Sequence, residues 1–340
     1  MLSKYVIITG KGQAEIQAEE LDTTNLKPNE AIIETSTSLI SAGTELSRVF
    51  AIKEGFTYPV RPGYSSIGTV LAKGEALSDL NVGDKVFYSG PHASVNRHRR
   101  DNKTQGPKIF KIPQDMNDHE ASLICLGLVA MNGVNATEIK LGDTLAVFGL
   151  GTIGLMAALL YQELGARVIA VDPVLSRCEL AKDLGIKEVL ACTPDQQVAE
   201  LKQMTNGRGV DIAVDVSGVS QAIENVILAC GLHGQVILLG SPRAAYTTNV
   251  TSILNHIHMK MIKVIGAFNN LNPVYEKEGS RICVERDFKV VTQRIYDKRI
   301  DASKIISQII KPEEIEKAYH GLMYEKDTYR CVVIDWKKEG

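Results

Sequence analysis

The stretch Val147-Phe148-Gly149-Leu150-Gly151-Thr152-Ile153-Gly154 constrains the fold more than any other part of the sequence. An apolar run precedes it and a helix-like run, Leu155 to Leu164, follows. After Gly165-Ala166 a second apolar run, Arg167 to Val171, ends in Asp172. This is a strand, a glycine turn, a helix and a strand in one short unit. Each glycine meets a physical need: one lets the backbone turn tightly, one lets it approach a pyrophosphate, and one lets helix and strand pack closely. The helix N-terminus then aims unpaired amides at the phosphates. The bare G-x-G-x-x-G spacing also suits a glycine-rich turn in an unrelated parallel α/β protein. The flanking strands, the helix and the acidic residue 23 positions beyond Gly149 favour a dinucleotide site.

Asp172 bears on which dinucleotide is expected. A carboxylate at the end of the second strand accepts hydrogen bonds from a free ribose diol. A 2′-phosphate there meets a repulsion of about 4 kcal/mol per charge pair, taking about 4 Å and an effective dielectric near 20. NAD is therefore the expected cofactor. Arg177, five residues on, either reaches a 2′-phosphate or lies against the adenine edge or solvent, and the second placement is favoured.

A chain of 340 residues suffices for two domains, each with its own core. The formal net charge of −2 supplies no long-range attraction for nucleic acid or an anionic membrane. The short basic run Arg97-His98-Arg99-Arg100 reads as a solvated loop. No run approaches eighteen apolar residues, and Met1-Leu2-Ser3-Lys4 leads into a strand rather than a signal peptide. A soluble, cytoplasmic protein with a small-molecule substrate is expected. Cys125, Cys178, Cys192, Cys230, Cys283 and Cys331 stand far apart with no CxxC pair, which reads as reduced thiols rather than a disulfide framework or a closed zinc site.

The first hundred residues are β-rich, with short β-branched runs at Val6–Thr9, Glu30–Thr35, Ser66–Leu71 and Asp84–Tyr88 between Gly and Pro turn signals. They suggest a partly open barrel. A helix is expected from Asp118 to about Val134. Strands and helices then alternate, with later strands at Val189-Leu190, Val210–Val216, Gln235–Gly240 and Ile262–Ala267 and helices at Gln197–Met204 and Gln221–Ala229. That alternation argues for a doubly wound parallel sheet. Helices at Val284–Lys298 and Pro312–Met323 precede a last strand, Arg330–Asp335, expected to return to the N-terminal β domain.

This order resembles the medium-chain dehydrogenase/reductase superfamily over essentially the whole chain. The anchors are Gly43-Thr44-Glu45, Pro62-Gly63-Tyr64, Val82-Gly83-Asp84-Lys85-Val86, the glycine fingerprint, Asp172 and Ile265-Gly266-Ala267. Ser41-Ala42-Gly43-Thr44-Glu45, Arg61-Pro62-Gly63-Tyr64-Ser65 and Gly90-Pro91-His92-Ala93 are most similar to the branch that includes bacteriochlorophyllide hydroxyethyl dehydrogenase. The resemblance implies an α/β protein: a GroES-like catalytic domain (1–132 and 269–340) and a Rossmann domain (133–268). It also implies homo-oligomers, dimers or tetramers, built on nucleotide-domain edges.

Zinc enzymes of the superfamily carry a Cys two residues before the Thr, a Gly-His-Glu, and a third ligand in the helix before the nucleotide domain. Here those positions read Ala42, Gly63-Tyr64-Ser65 and Cys125. A short loop, Ser94 to Lys103, replaces the four-cysteine structural lobe. No metal is therefore expected, and side chains must stabilise the charge on the substrate oxygen.

By the resemblance, Thr44 relays the substrate proton, Tyr64 donates to the oxygen or fills the space of the metal, and His92 lines the substrate pocket. Cys125 reads as a pocket wall, and Glu45 either pairs with Arg48 or faces the pocket. His256 and His258 read as surface or cofactor-edge residues. The nucleotide falls to Gly149, Leu150, Gly151, Thr152, Ile153, Gly154, Asp172, Arg177, Ser217, Gly240, Ser241, Ala267 and Phe268. The expected activity is a zinc-independent, NAD-dependent alcohol dehydrogenase or ketone reductase acting on a polyol, cyclitol or sugar derivative. The alternatives are an NADPH-dependent reductase of activated double bonds or quinones, a redox-neutral enzyme that keeps NAD bound, and a dinucleotide-binding protein without turnover.

Overall fold

The computed structural model describes residues 1–52, 55–100, 108–242, 245–268, 272–276 and 281–337. They form two compact units: Met1–Cys125 with Asn270–Gly340, and Leu126–Asn269.

In the first unit β1 (Leu2–Gly10) and β2 (Gln13–Glu20) make an antiparallel hairpin. A larger sheet is organised on β3 (Glu30–Leu39), of whose residues only Glu34 is exposed. Such a run is buried on both faces and takes partners on both edges. One edge pairs with β4 (Ser66–Lys73), which carries β5 (Lys85–Tyr88) beside it. The other edge divides: Glu30–Glu34 pair with β6 (Val95–Arg99), and Thr37–Leu39 with the last strand of the chain. β7 (Ile109–Lys111) closes the far side against β5. This split pairing builds the expected partly open barrel. Helix α1 (Ala42–Val49) follows β3, and α2 (Asp118–Ala121) and α3 (Ile124–Ala136) follow β7.

The single helix expected from Asp118 to Val134 is two. The Ser122 hydroxyl donates to the His119 carbonyl at 2.6 Å, and the Ser122 carbonyl accepts from Ser65 Oγ at 2.8 Å. Side-chain bonds of this kind compete with the helical ladder and end it. The basic run is not a loop either. Alternation in β6 turns Arg99 outward and buries His98 edge-on against the Tyr88 ring. Arg97 pairs with Glu30 at 2.7 Å and Arg100 with Asp79. Strand β6 thus occupies half of the loop expected from Ser94 to Lys103, whose last three residues lie outside those described.

The second unit alternates throughout: β8 (Thr144–Phe148), α4 (Thr152–Glu163), β9 (Arg167–Asp172), α5 (Leu175–Asp183), β10 (Glu188–Ala191), α6 (Gln197–Met204), β11 (Val210–Asp215), α7 (Ser220–Ala229), β12 (Cys230–Leu238), α8 (Val250–Lys260) and β13 (Lys263–Gly266). The strand order is β10-β9-β8-β11-β12-β13, with parallel pairing. The wholly buried β8 is an apolar run, as a central parallel strand requires. The winding reverses between β8 and β11, and ligands of such sheets bind at the carboxyl ends of the strands beside that switch.

The chain then returns to the first unit through α9 (Val284–Tyr296), α10 (Ala302–Ile305), β14 (Gln308–Ile310), α11 (Ile315–Tyr324) and β15 (Val332–Asp335). As expected, the last strand joins the N-terminal sheet: β15 lies between β14 and β3.

Candidate active site

Helix α1 begins at Ser41, yet the Ser41 hydroxyl does not cap it. It pairs instead with the Tyr64 hydroxyl in a short contact. Thr44, one turn into the helix and exposed, lies 3.4 Å from the same phenol oxygen. Three hydroxyls thus converge, two of them expected; Ser41 was hidden because nothing in the sequence says which way a helix-capping serine turns. Burial, and then the neighbouring Cys125, push the Tyr64 phenol up to about 12. It stays protonated at neutral pH and acts as a hydrogen-bond donor. Burial likewise pushes the Cys125 thiol up to about 11, which fits a pocket wall rather than a nucleophile.

Behind these hydroxyls stands a closed network. Glu45 accepts from the Ser41 amide at 2.7 Å through one oxygen, while the other meets His92 Nε2 at 3.0 Å and the Tyr319 hydroxyl at 2.7 Å. His92 Nδ1 lies 2.8 Å from Ser38 Oγ, which also accepts from Trp336 Nε1 at 2.9 Å. His92 was expected to line the pocket. It has no exposed surface, and both its ring nitrogens are taken by Ser38 and Glu45. Glu45 pairs with neither Arg48 nor the pocket; it is the centre of the buried network. The close fit forces the chain nearby: Gly63 has φ +101°, and a Cβ there would lie 2.6 Å from the His92 amide nitrogen.

The candidate dinucleotide site lies within the second unit, and its three glycines differ in their surroundings. Gly149 turns with φ +98°. A Cβ at Gly154 would meet the Gly149 carbonyl oxygen at 1.8 Å, whereas one at Gly151 would meet nothing within 4 Å. Gly151 caps α4 without a side-chain bond, and the orphan amides of a helix's first turn are where a pyrophosphate would bind. Asp172 Oδ2 accepts from the Leu150 amide at 2.7 Å and Oδ1 from Val174 at 2.8 Å. Arg177 turns toward Asp172, at 3.6 Å, rather than to solvent.

Across the switch point, Asp215, missed in the sequence, ties the turn together. It accepts from the Ser217 hydroxyl at 2.6 Å and the Gly218 amide at 3.2 Å. Gly240 is forced by the close Gly218 backbone, with Ser241 beside it; Ala267 is buried and bonded to Leu238, and Phe268 is exposed. His256 and His258 lie on α8, none of whose residues is buried.

Comparison with known proteins agrees with this geometry. The profile of the zinc-binding dehydrogenase family matches residues 152–282. The chain is 26% identical over 327 residues to an uncharacterized zinc-type alcohol dehydrogenase-like protein of Haemophilus influenzae, covering 88% of this chain and 90% of that one. It is 24% identical over 300 residues to the (R,R)-butanediol dehydrogenase of Bacillus subtilis, covering 82% and 81%. The crystal structure of galactitol-1-phosphate dehydrogenase from Escherichia coli superposes with a TM-score of 0.82, covering 98% and 99% at 18% identity, a likeness of fold alone.

The chain is similar to zinc-type alcohol dehydrogenases of the medium-chain dehydrogenase/reductase superfamily.

Zinc-type members of the superfamily imply a catalytic metal, and the donor set here does not fit one. Ala42 has no donor atom, the Tyr64 oxygen is a neutral phenol engaged with Ser41, and Cys125 holds its proton. Among the described residues no group of three His, Cys, Asp or Glu is placed to hold a metal ion. A catalytic zinc needs three protein ligands and a water.

Proposed function

We propose that the protein is a zinc-independent, NAD-linked alcohol dehydrogenase or ketone reductase acting on a small polar secondary alcohol. The observation that carries this reading is the convergence of Ser41, Thr44 and Tyr64 hydroxyls where the superfamily's metal site would stand, on a chain that also bears a dinucleotide fingerprint. A pyridine nucleotide held by the glycine turn supplies or accepts the hydride.

The chain's own groups handle the oxygen. In reduction Tyr64 donates to the carbonyl oxygen as negative charge develops there and gives up its proton; Ser41 then returns one to the phenol, and Thr44 connects the pair to solvent. Oxidation runs the same path in reverse. Glu45 and His92 hold α1 so that the Ser41 hydroxyl faces the phenol. Asp172 supports NAD over NADP by its charge, and Arg177 beside it offsets part of that charge, so the preference is finite. The (R,R)-butanediol relative supports a vicinal or polyhydroxy substrate.

The test is reduced-nicotinamide absorbance with polyols, sugars and simple secondary alcohols, with NAD and NADP side by side, before and after exhaustive chelation. Turnover with NAD that survives chelation is expected; turnover abolished by the chelator, or activity only with NADPH and an activated double bond, overturns the reading. Tyr64→Phe is expected to lower turnover by about 10²-fold, and Thr44→Val by less, with NADH affinity near wild type. Undiminished turnover in Tyr64→Phe removes the phenol from the mechanism.

A further inference from the structure

The Ser41 hydroxyl has two rival partners. At the head of a helix the first-turn amides lack acceptors, and a polar side chain there ordinarily turns its oxygen to them. Asn117 does so at the head of α2, accepting from the Glu120 amide at 3.2 Å. Ser41 makes no such bond and turns its hydroxyl to Tyr64 instead. Its backbone is gripped from both sides. The Ser41 amide donates to Glu45 Oε1 at 2.7 Å, and the Ser41 carbonyl accepts from the Thr44 and Glu45 amides at 3.0 and 2.9 Å. The aim of Ser41 therefore depends on where Glu45 puts Oε1.

The last torsion of a glutamate is soft, so a donor that fixes one carboxylate oxygen also fixes the other. Oε2 meets His92 Nε2 at 3.0 Å and accepts from the Tyr319 hydroxyl at 2.7 Å. Tyr319 comes from α11, and its ring is wholly buried in an apolar core with Leu46 and Val49 of α1 and Ala318 and Leu322 of its own helix. Among the described residues its hydroxyl bonds to Glu45 alone. Burial, and then the Glu45 charge, push this phenol well above its ordinary value, so it stays a donor. An unbroken path of hydrogen bonds thus runs from Tyr319 to Glu45, through the Ser41 amide, and from the Ser41 hydroxyl to Tyr64.

We propose that Tyr319 is a positioning residue for the catalytic hydroxyls: its hydroxyl fixes the Glu45 carboxylate on the Ser41 amide, and so keeps the Ser41 hydroxyl on Tyr64 and off the end of α1. The proposal rests on the reading of Tyr64 and Ser41 as the proton path. Without the Tyr319 hydroxyl the carboxylate turns toward His92, the Ser41 amide is released, and Ser41 swings to cap α1.

The experiment compares the wild type, Tyr319→Phe, Ser41→Ala and the double variant. Tyr319→Phe removes one oxygen and keeps the ring in its core. The readouts are kcat and KM for the alcohol with NAD, NADH affinity, and hydrogen exchange of the Ser41 amide followed by NMR. Tyr319→Phe is expected to lower kcat by about tenfold and to speed exchange of the Ser41 amide by about as much, with KM and NADH affinity near wild type. On the Ser41→Ala background the same substitution should change kcat by less than about twofold, because its target is gone. Undiminished kcat, a loss confined to KM, or the full loss repeated on Ser41→Ala overturns the proposal. If the wild type turns over no alcohol, the dehydrogenase reading fails and the amide decides: faster exchange in Tyr319→Phe upholds the grip on Ser41, and unchanged exchange overturns it.

Discussion

A Gly154→Ala protein is expected to lose dinucleotide binding together with much of the stability of its second unit. The added methyl would stand 1.8 Å from the Gly149 carbonyl oxygen, a backbone atom that cannot swing aside as a flexible side chain would. Either α4 moves off β8 or the turn at Gly149 opens, and both disrupt the contact that aims the helix at the phosphates. Overpacking a well-ordered site costs about 1–3 kcal/mol, and a backbone collision this severe belongs at or above the top of that range. Gly151→Ala is the informative contrast. Nothing lies within 4 Å of its added methyl, so the fold should melt near the wild-type temperature while the methyl occupies the space of the pyrophosphate. NADH fluorescence titration and thermal melting of both variants separate the two roles. Equal melting of the two proteins would show that Gly154 is not a packing glycine.

Glu45→Ala is expected to destabilise the first unit by about 3–5 kcal/mol, the usual cost of removing one partner from a buried, hydrogen-bonded pair. The substitution leaves His92, Tyr319 and the Ser41 amide without their shared acceptor, all in a region closed to water. Burial opposes the charge of this carboxylate, but His92, by its charge and its hydrogen bond, and the bonds from Tyr319 and Ser41 outweigh it and hold the group below its ordinary value near 4.5. The native state therefore binds this proton less readily than the unfolded chain does. The stabilisation is complete above the ordinary carboxylate value and is lost as pH falls through the lower native one. Urea midpoints between neutral pH and about pH 3 should fall more steeply for the wild type than for Glu45→Ala. Parallel slopes would mean that the Glu45 proton is not linked to folding.

Much of the second unit was legible in the sequence because its signals are local. The glycine spacing, an apolar run ending in Asp172 and the strand–helix alternation each depend on a few adjacent residues, and Gln197–Met204 forms the expected helix to the residue. The first unit was harder, since its elements are fixed by distant partners. Strand β6, rich in arginine, holds its place through β3 and the Arg97–Glu30 pair, and nothing in Arg97-His98-Arg99-Arg100 announces a strand. The same limit applied to the candidate site. Thr44 and Tyr64 could be named from their positions in the resemblance, and they do meet. The inward turn of His92 follows from Glu45, Ser38 and Tyr319, which lie 47, 54 and, through Glu45, 274 residues away along the paths that join them. Ser41 stands within one of the resemblance motifs, but only the Tyr64 contact gives its hydroxyl a task.

The place of β15 between β14 and β3 sets an order of events for the growing chain. The second unit is continuous in sequence and can assemble as soon as its last strand leaves the ribosome. The sheet of the first unit must wait for residues 332–335 to fill the vacant edge of β3. Tyr319 and Trp336, which complete the hydrogen bonds around Glu45 and Ser38, arrive in the same late segment. The hydroxyl cluster on α1 is thus locked by residues that follow it by almost 300 positions, and a chain released before them would carry a finished second unit and a first unit still missing its latch.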